Sequence, residues 1–138
     1  MELFIQSAVA GIAVMSAFFD FTRREIPNAL PIALCAASLL AWACLGRLPG
    51  FLEAGAAFLA GLLLYLTGAF GAGDVKLFSS ACLFFPGKIA SLSLVTALSG
   101  GLLALAVLLA GFFFKKEKER GVPYGAAIAA GILALLWI

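Results

Sequence analysis

Two aspartates interrupt a chain that is otherwise almost entirely apolar. Asp20 follows the apolar stretch 3–19, and the second aspartate ends the run Gly71-Ala72-Gly73-Asp74. Ionisable side chains in or near a membrane span are costly, and they usually have a partner and a function. Two carboxylates that share a proton cannot both ionise easily, so one can act as an acid while the other activates a water. The pair predicts aspartyl-protease chemistry, provided that the fold brings the two side chains together.

The two aspartates lie at opposite ends of predicted helices. Asp20 closes the first helix, whose partial negative charge favours a protonated carboxyl group. Asp74 opens the fourth helix, whose partial positive charge favours a carboxylate. We therefore expect Asp74 to be the base and Asp20 to be the acid.

Other residues near the aspartates could contribute to a site. Gly71 and Gly73 have no Cβ atom, so they allow a tight turn and the close approach of a substrate backbone. Lys76 has two interpretations. It anchors the chain at the membrane surface, or it belongs to the site, where it balances the charge of the aspartates or binds a substrate carbonyl. Arg24 is typical of a cytoplasmic loop, and Tyr124 is typical of a membrane interface.

The composition places the chain in a membrane. Of its 138 residues, 64% are hydrophobic and 12% are charged, which leaves too few polar side chains to cover a water-exposed surface. Each crossing needs about 20 apolar residues, so the length allows about five or six helices. We expect residues 1–138 to form a single domain. No basic region precedes the first apolar segment, so we expect a retained helix and not a cleaved signal peptide.

No metal or cofactor is expected. The chain has no histidine and three cysteines, none in a Cys-x-x-Cys pair, so neither a zinc site nor a disulfide framework is predicted. We interpret Cys35, Cys44 and Cys82 as small, buried, apolar side chains. The formal net charge of +2 is too small to indicate a nucleic-acid partner.

The hydrophobic pattern predicts an all-α polytopic fold, a bundle of six transmembrane helices over residues 3–19, 29–45, 51–70, 75–85, 89–114 and 121–138. In the polar turn before the second helix, Pro27 disfavours helix at the preceding residue, and Asn28 can cap the helix that follows. The fourth helix covers only about 18 Å of a hydrocarbon core about 30 Å thick. Asp74 is therefore expected roughly 10 Å below the membrane surface.

Basic residues orient this bundle, because cytoplasmic loops carry an excess of lysine and arginine. With six crossings and the N-terminus outside, the outer side holds only Arg47 and Lys88. The cytoplasmic side then holds Arg23, Arg24, Lys76, Lys115, Lys116, Lys118 and Arg120. This arrangement places Asp20 and Asp74 together on the cytoplasmic side. The charged run 115–120 is predicted to be a solvated loop, and its Glu117 and Glu119 are candidate contacts for a basic substrate segment.

Three motifs, in order, resemble those of the type IV prepilin peptidases, which are membrane aspartyl proteases of the GxGD class. Gly71-Ala72-Gly73-Asp74-Val75-Lys76-Leu77 resembles the family's GxGDxK motif. Asp20 followed by Arg24-Glu25-Ile26-Pro27-Asn28 resembles its first aspartate motif, and Val122-Pro123-Tyr124-Gly125 resembles its late PYG element. The resemblance covers essentially the whole chain.

The resemblance implies a catalytic pair, Asp20 and Asp74, in a bundle of six helices. It implies a role in positioning the site or the substrate for Gly71, Gly73, Lys76, Arg24, Pro27, Asn28, Pro123 and Tyr124. It further implies that the protein removes the short basic leader of pilin-like precursors at the cytoplasmic face of a prokaryotic inner membrane. The expected partners are these precursors and membrane lipid, and a homo-oligomer is left open.

Two features depart from the family pattern. Larger members carry an N-terminal region with paired zinc-binding cysteines and also methylate the new N-terminus, whereas this sequence has neither that region nor those cysteines. Methyl transfer is therefore not expected, and the chain looks more like the short members associated with tight-adherence pili. Ala126 stands where many members have a second proline.

Two other classes of function remain open. A small ion-coupled carrier would also use paired carboxylates, but it would hold them near the midplane of the membrane, often between inverted repeats. A non-catalytic assembly subunit would need neither aspartate. Asparagine substitutions separate the three, because only a peptidase would lose the cleavage of a precursor.

Overall fold

The computed structural model describes residues 1–68, 70–113 and 123–137, and all the regular structure in these ranges is helical. The described helices are α1 (Glu2–Arg23), α2 (Ala29–Leu45), α3 (Phe51–Leu66), α4 (Ala72–Phe84), α5 (Ile89–Phe113) and α6 (Tyr124–Trp137). The predicted all-α class is confirmed for this part of the chain.

The helix boundaries agree with the prediction for α2 and for the start of α5, and they differ for α1, α3, α4 and the start of α6. The predicted ends of α5 and α6, residues 114 and 138, lie outside the described residues. The first helix continues one turn beyond Asp20 and ends where Arg24 takes a left-handed conformation, with φ of 56°. The third ends earlier than predicted, because Gly68 turns the chain with φ of 76°. The fourth begins at Ala72, so that Asp74 lies inside its first turn. The charged run 115–120, with its predicted contacts, lies outside the described residues.

Small side chains bring the helices together. α6 packs against α1, α4 and α5, and α4 also packs against α2 and α3. The buried face of α6 includes Ala126, Ala127 and Ala129. The hydroxyl of Ser99 on α5 donates a hydrogen bond of 3.1 Å to the carbonyl of Ala127. Small residues allow two helix backbones to approach closely, which is typical of helix contacts inside membranes.

Large apolar side chains cover the outside of the bundle. Leu52 on α3 is 89% exposed and Leu98 on α5 is 67% exposed, and many other leucines and phenylalanines are exposed as well. An apolar surface of this extent marks contact with lipid or with other proteins. Among the described helices, α1 and the segment Ile89–Ala110 of α5 are long and apolar enough to cross a membrane, whereas α2, α3 and α6 are apolar but shorter.

The helix ends form two groups at opposite ends of the bundle. At the far end, Arg47 forms an ion pair of 2.7 Å with Glu2, and Glu53 accepts a hydrogen bond of 2.8 Å from the N–H of Gly87. Asp20, the turn 24–28 and the starts of α4 and α6 lie at the other end, which we call the Asp20 end. Arg47 and Lys88, the two predicted outer basic residues, line one cavity at the far end.

The prediction for the cysteines is only partly right. Cys82 on α4 is buried, and Cys35 on α2 is half-buried with its Sγ 3.4 Å from the Oγ of Ser80. Cys44 is exposed, because it lies on the outer face of α2 near the end of that helix.

A substitution at Gly50 tests the packing between the start of α3 and the end of α4. A Cβ atom at this position would lie 2.7 Å from the backbone carbonyl oxygen of Cys82. We expect Gly50→Ala to lower the free energy of unfolding by about 1–3 kcal/mol, because the backbone must shift. Gly55→Ala is the matched control, since nothing lies within 4 Å of a Cβ atom there. Thermal unfolding in detergent should show Gly55→Ala as stable as the wild type or more stable, and equal effects of the two substitutions would contradict the packing.

Candidate active site

The side chain of Asp20 is held at the start of α6. Asp20 lies on the last turn of α1 and is only 6% exposed. Its Oδ2 accepts a hydrogen bond of 3.1 Å from the N–H of Ala126, the third residue of α6. The first N–H groups of a helix have no partner within the helix, and they carry a partial positive charge that attracts an anion. The buried carboxylate of Asp20 therefore occupies an anion-binding position that α6 provides.

The side chain of Asp74 is held in the same way at the start of α4. Asp74 is half-buried, and its Oδ2 accepts a hydrogen bond of 3.2 Å from the N–H of Gly71, the residue that precedes the helix. Asp20 and Asp74 lie on the two sides of Ile26, which packs against Gly125 next to Asp20 and against Gly73, the residue before Asp74. The structure thus brings together the two acids that the sequence singled out, from positions 54 residues apart.

This arrangement changes the argument for which aspartate is the acid and which is the base. The sequence prediction considered only the C-terminal end of α1 for Asp20. In the structure, that carboxylate also lies at the N-terminal end of α6. Both aspartates accept an N–H at the start of a helix, so helix polarity does not distinguish their roles.

Ile26 fills the space between the two helix starts. A Cβ atom on Gly73 would lie 3.0 Å from the Cβ of Ile26, and a Cβ atom on Gly125 would lie 2.7 Å from the Cδ1 of Ile26. At Gly125 the same atom would lie 3.0 Å from the Cγ of Asp20. The two glycines therefore leave room for Ile26 and for the carboxylate of Asp20.

This packing revises the interpretation of the glycine motif. The room at Gly73 is taken by Ile26, so it is not free for the backbone of a substrate. Gly71 has φ of −78°, which any residue can adopt, and a Cβ atom there would lie 3.0 Å from the Oδ2 of Asp74. The chain turns instead at Gly68, whose φ is positive.

The turn between α1 and α2 is tied to α4 by a side-chain hydrogen bond. Lys76 donates a hydrogen bond of 3.0 Å from its Nζ to the Oδ1 of Asn28. Asn28 precedes α2, but its side chain makes no capping hydrogen bond to that helix, since its backbone is already helical, with φ of −57° and ψ of −22°. Pro27 is half-buried beside it, and Arg24 is exposed and donates a hydrogen bond of 3.1 Å from its backbone N–H to the carbonyl oxygen of Asp20.

An aromatic pair ties the glycine motif to α6. The ring of Phe70 stacks on the ring of Tyr124, with centroids 5.0 Å apart and planes 21° apart. Pro123 is buried immediately before α6. The sequence prediction had given Tyr124 no definite contact and had not selected Ile26, Phe70 or Gly125 as site residues. Of these three residues, Ile26 was the one that the sequence could have marked as a site residue, because a bulky apolar side chain is unusual within a polar turn.

Comparison with known proteins identifies a family, but it identifies no individual relative. The model of the type IV leader peptidase family matches residues 7–138. No curated protein and no solved structure matches the chain.

A double-mutant cycle tests the contact between Ile26 and Gly125. Gly125→Ala should destabilise the protein, because the new Cβ atom would meet the Cδ1 of Ile26 at 2.7 Å. Ile26→Val removes that Cδ1 atom, so the double variant should lose less stability than the sum of the single changes, with a coupling of about 0.5–3 kcal/mol. Thermal unfolding in detergent measures each variant. Strictly additive losses would show that the two residues do not meet.

Proposed function

The chain belongs to the type IV leader peptidase family, and from this premise we propose that it is an aspartic endopeptidase in which Asp20 and Asp74 cleave the substrate. The substrate is a pilin-like precursor, and the product is the precursor without its short basic leader. The observation that carries this proposal is the pair of carboxylates, each held by a helix start and placed on the two sides of Ile26. The proposal covers hydrolysis and does not include methyl transfer.

The mechanism follows from one proton shared by two carboxylates. One aspartate, as the carboxylate, takes a proton from a water, and the water oxygen attacks the carbon of the scissile carbonyl. The other aspartate, as the acid, gives its proton to the carbonyl oxygen, which yields a tetrahedral diol. The aspartate that took the proton from water then gives it to the amide nitrogen, and the other aspartate takes a proton from a diol hydroxyl as the C–N bond breaks. The products are a carboxylic acid and an amine, and the pair is again singly protonated. Because the pair acts as a unit, its titration belongs to both residues together.

Access to the pair is from the Asp20 end. Gly71 and Ala72 are exposed beside the half-buried Asp74, and Arg24 and Lys76 are exposed nearby. A helical backbone directs its carbonyls into its own hydrogen bonds, so the scissile bond must be extended when it reaches the aspartates. We place this extended segment of the substrate beside Gly71 and Ala72.

We further propose that all six helices cross the membrane and that the Asp20 end faces the cytoplasm. This orientation rests on the basic residues. Arg23, Arg24 and Lys76 accompany the aspartates, whereas Arg47 and Lys88 lie at the far end. An excess of basic residues on one side is typical of the cytoplasmic side. A carrier is less well supported, since both aspartates lie at one end of the bundle.

The test is removal of the leader from a co-expressed pilin-like precursor, followed by mass spectrometry. We expect the wild-type chain to release the leader. Asp20→Asn and Asp74→Asn should each lower the rate by at least about 100-fold, because each removes a group that transfers a proton. Glu53→Gln is the matched control: it also replaces a carboxylate by an amide, but at the far end, where the amide oxygen can still accept from the N–H of Gly87.

The outcomes separate the classes of function. Cleavage that survives in either asparagine variant would overturn the assignment of the pair. Ion-dependent transport without cleavage of any precursor would favour a carrier. Loss of cleavage in Glu53→Gln as well would point to a general loss of folding.

A further inference from the structure

A long apolar cavity separates α3 from α5. Its volume is about 680 Å³, and residues of α3, α4, α5 and the first residue of α6 line it. α3 packs on α4, and α5 packs on α6, so the two outer helices face each other across this space. We call this space the α3–α5 groove.

The groove has the length and the lining of a helix-docking surface. On α5 its wall runs from Ile89 to Ala104, which is about 22 Å of helix at 1.5 Å per residue. That length is most of a hydrocarbon core about 30 Å thick. The walls include Ala60 and Gly61 on α3 and Ala97 and Gly101 on α5. Small residues on facing helices let another helix backbone approach closely, and this is how helices associate within membranes.

The groove ends at the candidate active site. Phe70 and Tyr124, the stacked aromatic pair, line it at the Asp20 end, and so does Val75, the residue after Asp74. Phe70 and Val75 flank the glycine motif in the sequence. An apolar segment lying in the groove would therefore place the residues just beyond its end beside the two aspartates.

We infer that the α3–α5 groove binds the hydrophobic helix of the precursor, the segment that follows the cleavage site. This inference rests on the proposed function. The order of parts agrees: in the precursor the scissile bond directly precedes the apolar helix, and in the protein the aspartates lie directly beyond the end of the apolar groove. With its helix in the groove, the precursor would have its scissile bond beside the aspartates.

Site-specific photo-crosslinking tests this inference without requiring cleavage. Benzoylphenylalanine replaces Leu64, a large side chain that already lines the groove, or its neighbour Leu63, which is 66% exposed and is not part of the groove wall. Both variants carry Asp74→Asn and are co-expressed with a tagged pilin-like precursor. We expect crosslinks to the precursor's hydrophobic helix from position 64, with at most about one-tenth of that yield from position 63.

Each outcome supports or overturns the inference. Equal yields from the two positions, or crosslinks from position 64 only to lipid or only to a second copy of the chain, would overturn it. A crosslink from position 64 together with a wild-type chain that cleaves no precursor would keep the groove and reject the peptidase. Cleavage by the wild type without this crosslink would reject the groove alone.

A second measurement uses a variant in which a larger side chain fills the groove. Ala97→Phe should lower the rate of precursor cleavage by about tenfold or more, because the added ring occupies the space that the helix needs. Leu98→Phe, which changes an exposed position on the same helix, should leave the rate unchanged. Equal rates for Ala97→Phe and the wild type would contradict the inference. A variant that fails to fold is recognised by its elution in detergent, and the crosslinking result then decides.

Discussion

The hydrogen bond from the N–H of Ala126 to the carboxylate of Asp20 is the contact on which the site depends. A carboxylate that is 94% buried in an apolar bundle needs a partner, because an isolated buried charge is strongly destabilising. The start of α6 supplies that partner with a backbone N–H that the helix itself leaves free. Because α6 also packs on α4, the same helix holds Asp20 near Asp74.

The glycines make this contact sterically feasible. Gly125 lets both the carboxylate of Asp20 and the side chain of Ile26 approach α6, and Gly73 lets Ile26 approach α4. Ile26 therefore sets the spacing between the two helix starts from which the aspartates are held. Around this centre the bundle buries alanines and serines together with leucines and isoleucines, and large apolar residues also cover its outside, which is the reverse of a water-soluble surface. Such an arrangement suits a bundle surrounded by lipid, where close helix packing replaces hydrophobic burial.

The composition and the motifs of the sequence predicted the fold class and the candidate site. They did not predict most contacts between distant segments. The all-α class and the bounds of α2 followed from apolar length, and the cost of charges in such a chain singled out Asp20 and Asp74 as candidates, whose pairing stays a prediction. The role of Ile26 did not follow, because its contacts come from α4 and α6, which lie 46 or more residues away. The capping prediction for Asn28 was wrong, because the backbone of Asn28 is already helical and its side chain accepts from Lys76, 48 residues away. The end of α3 was misjudged because a run of apolar residues does not reveal that Gly68 adopts positive φ.

The central claim is that the two aspartates share one site before any substrate binds. Its most direct test is crosslinking in native membranes with a short bifunctional thiol reagent. The chain would carry Asp20→Cys and Asp74→Cys, with Cys35, Cys44 and Cys82 replaced by alanine. The account predicts an efficient link between positions 20 and 74, and none between positions 20 and 88 when Lys88→Cys replaces the second substitution. Absence of the link between positions 20 and 74, in a protein that remains folded, would contradict the account.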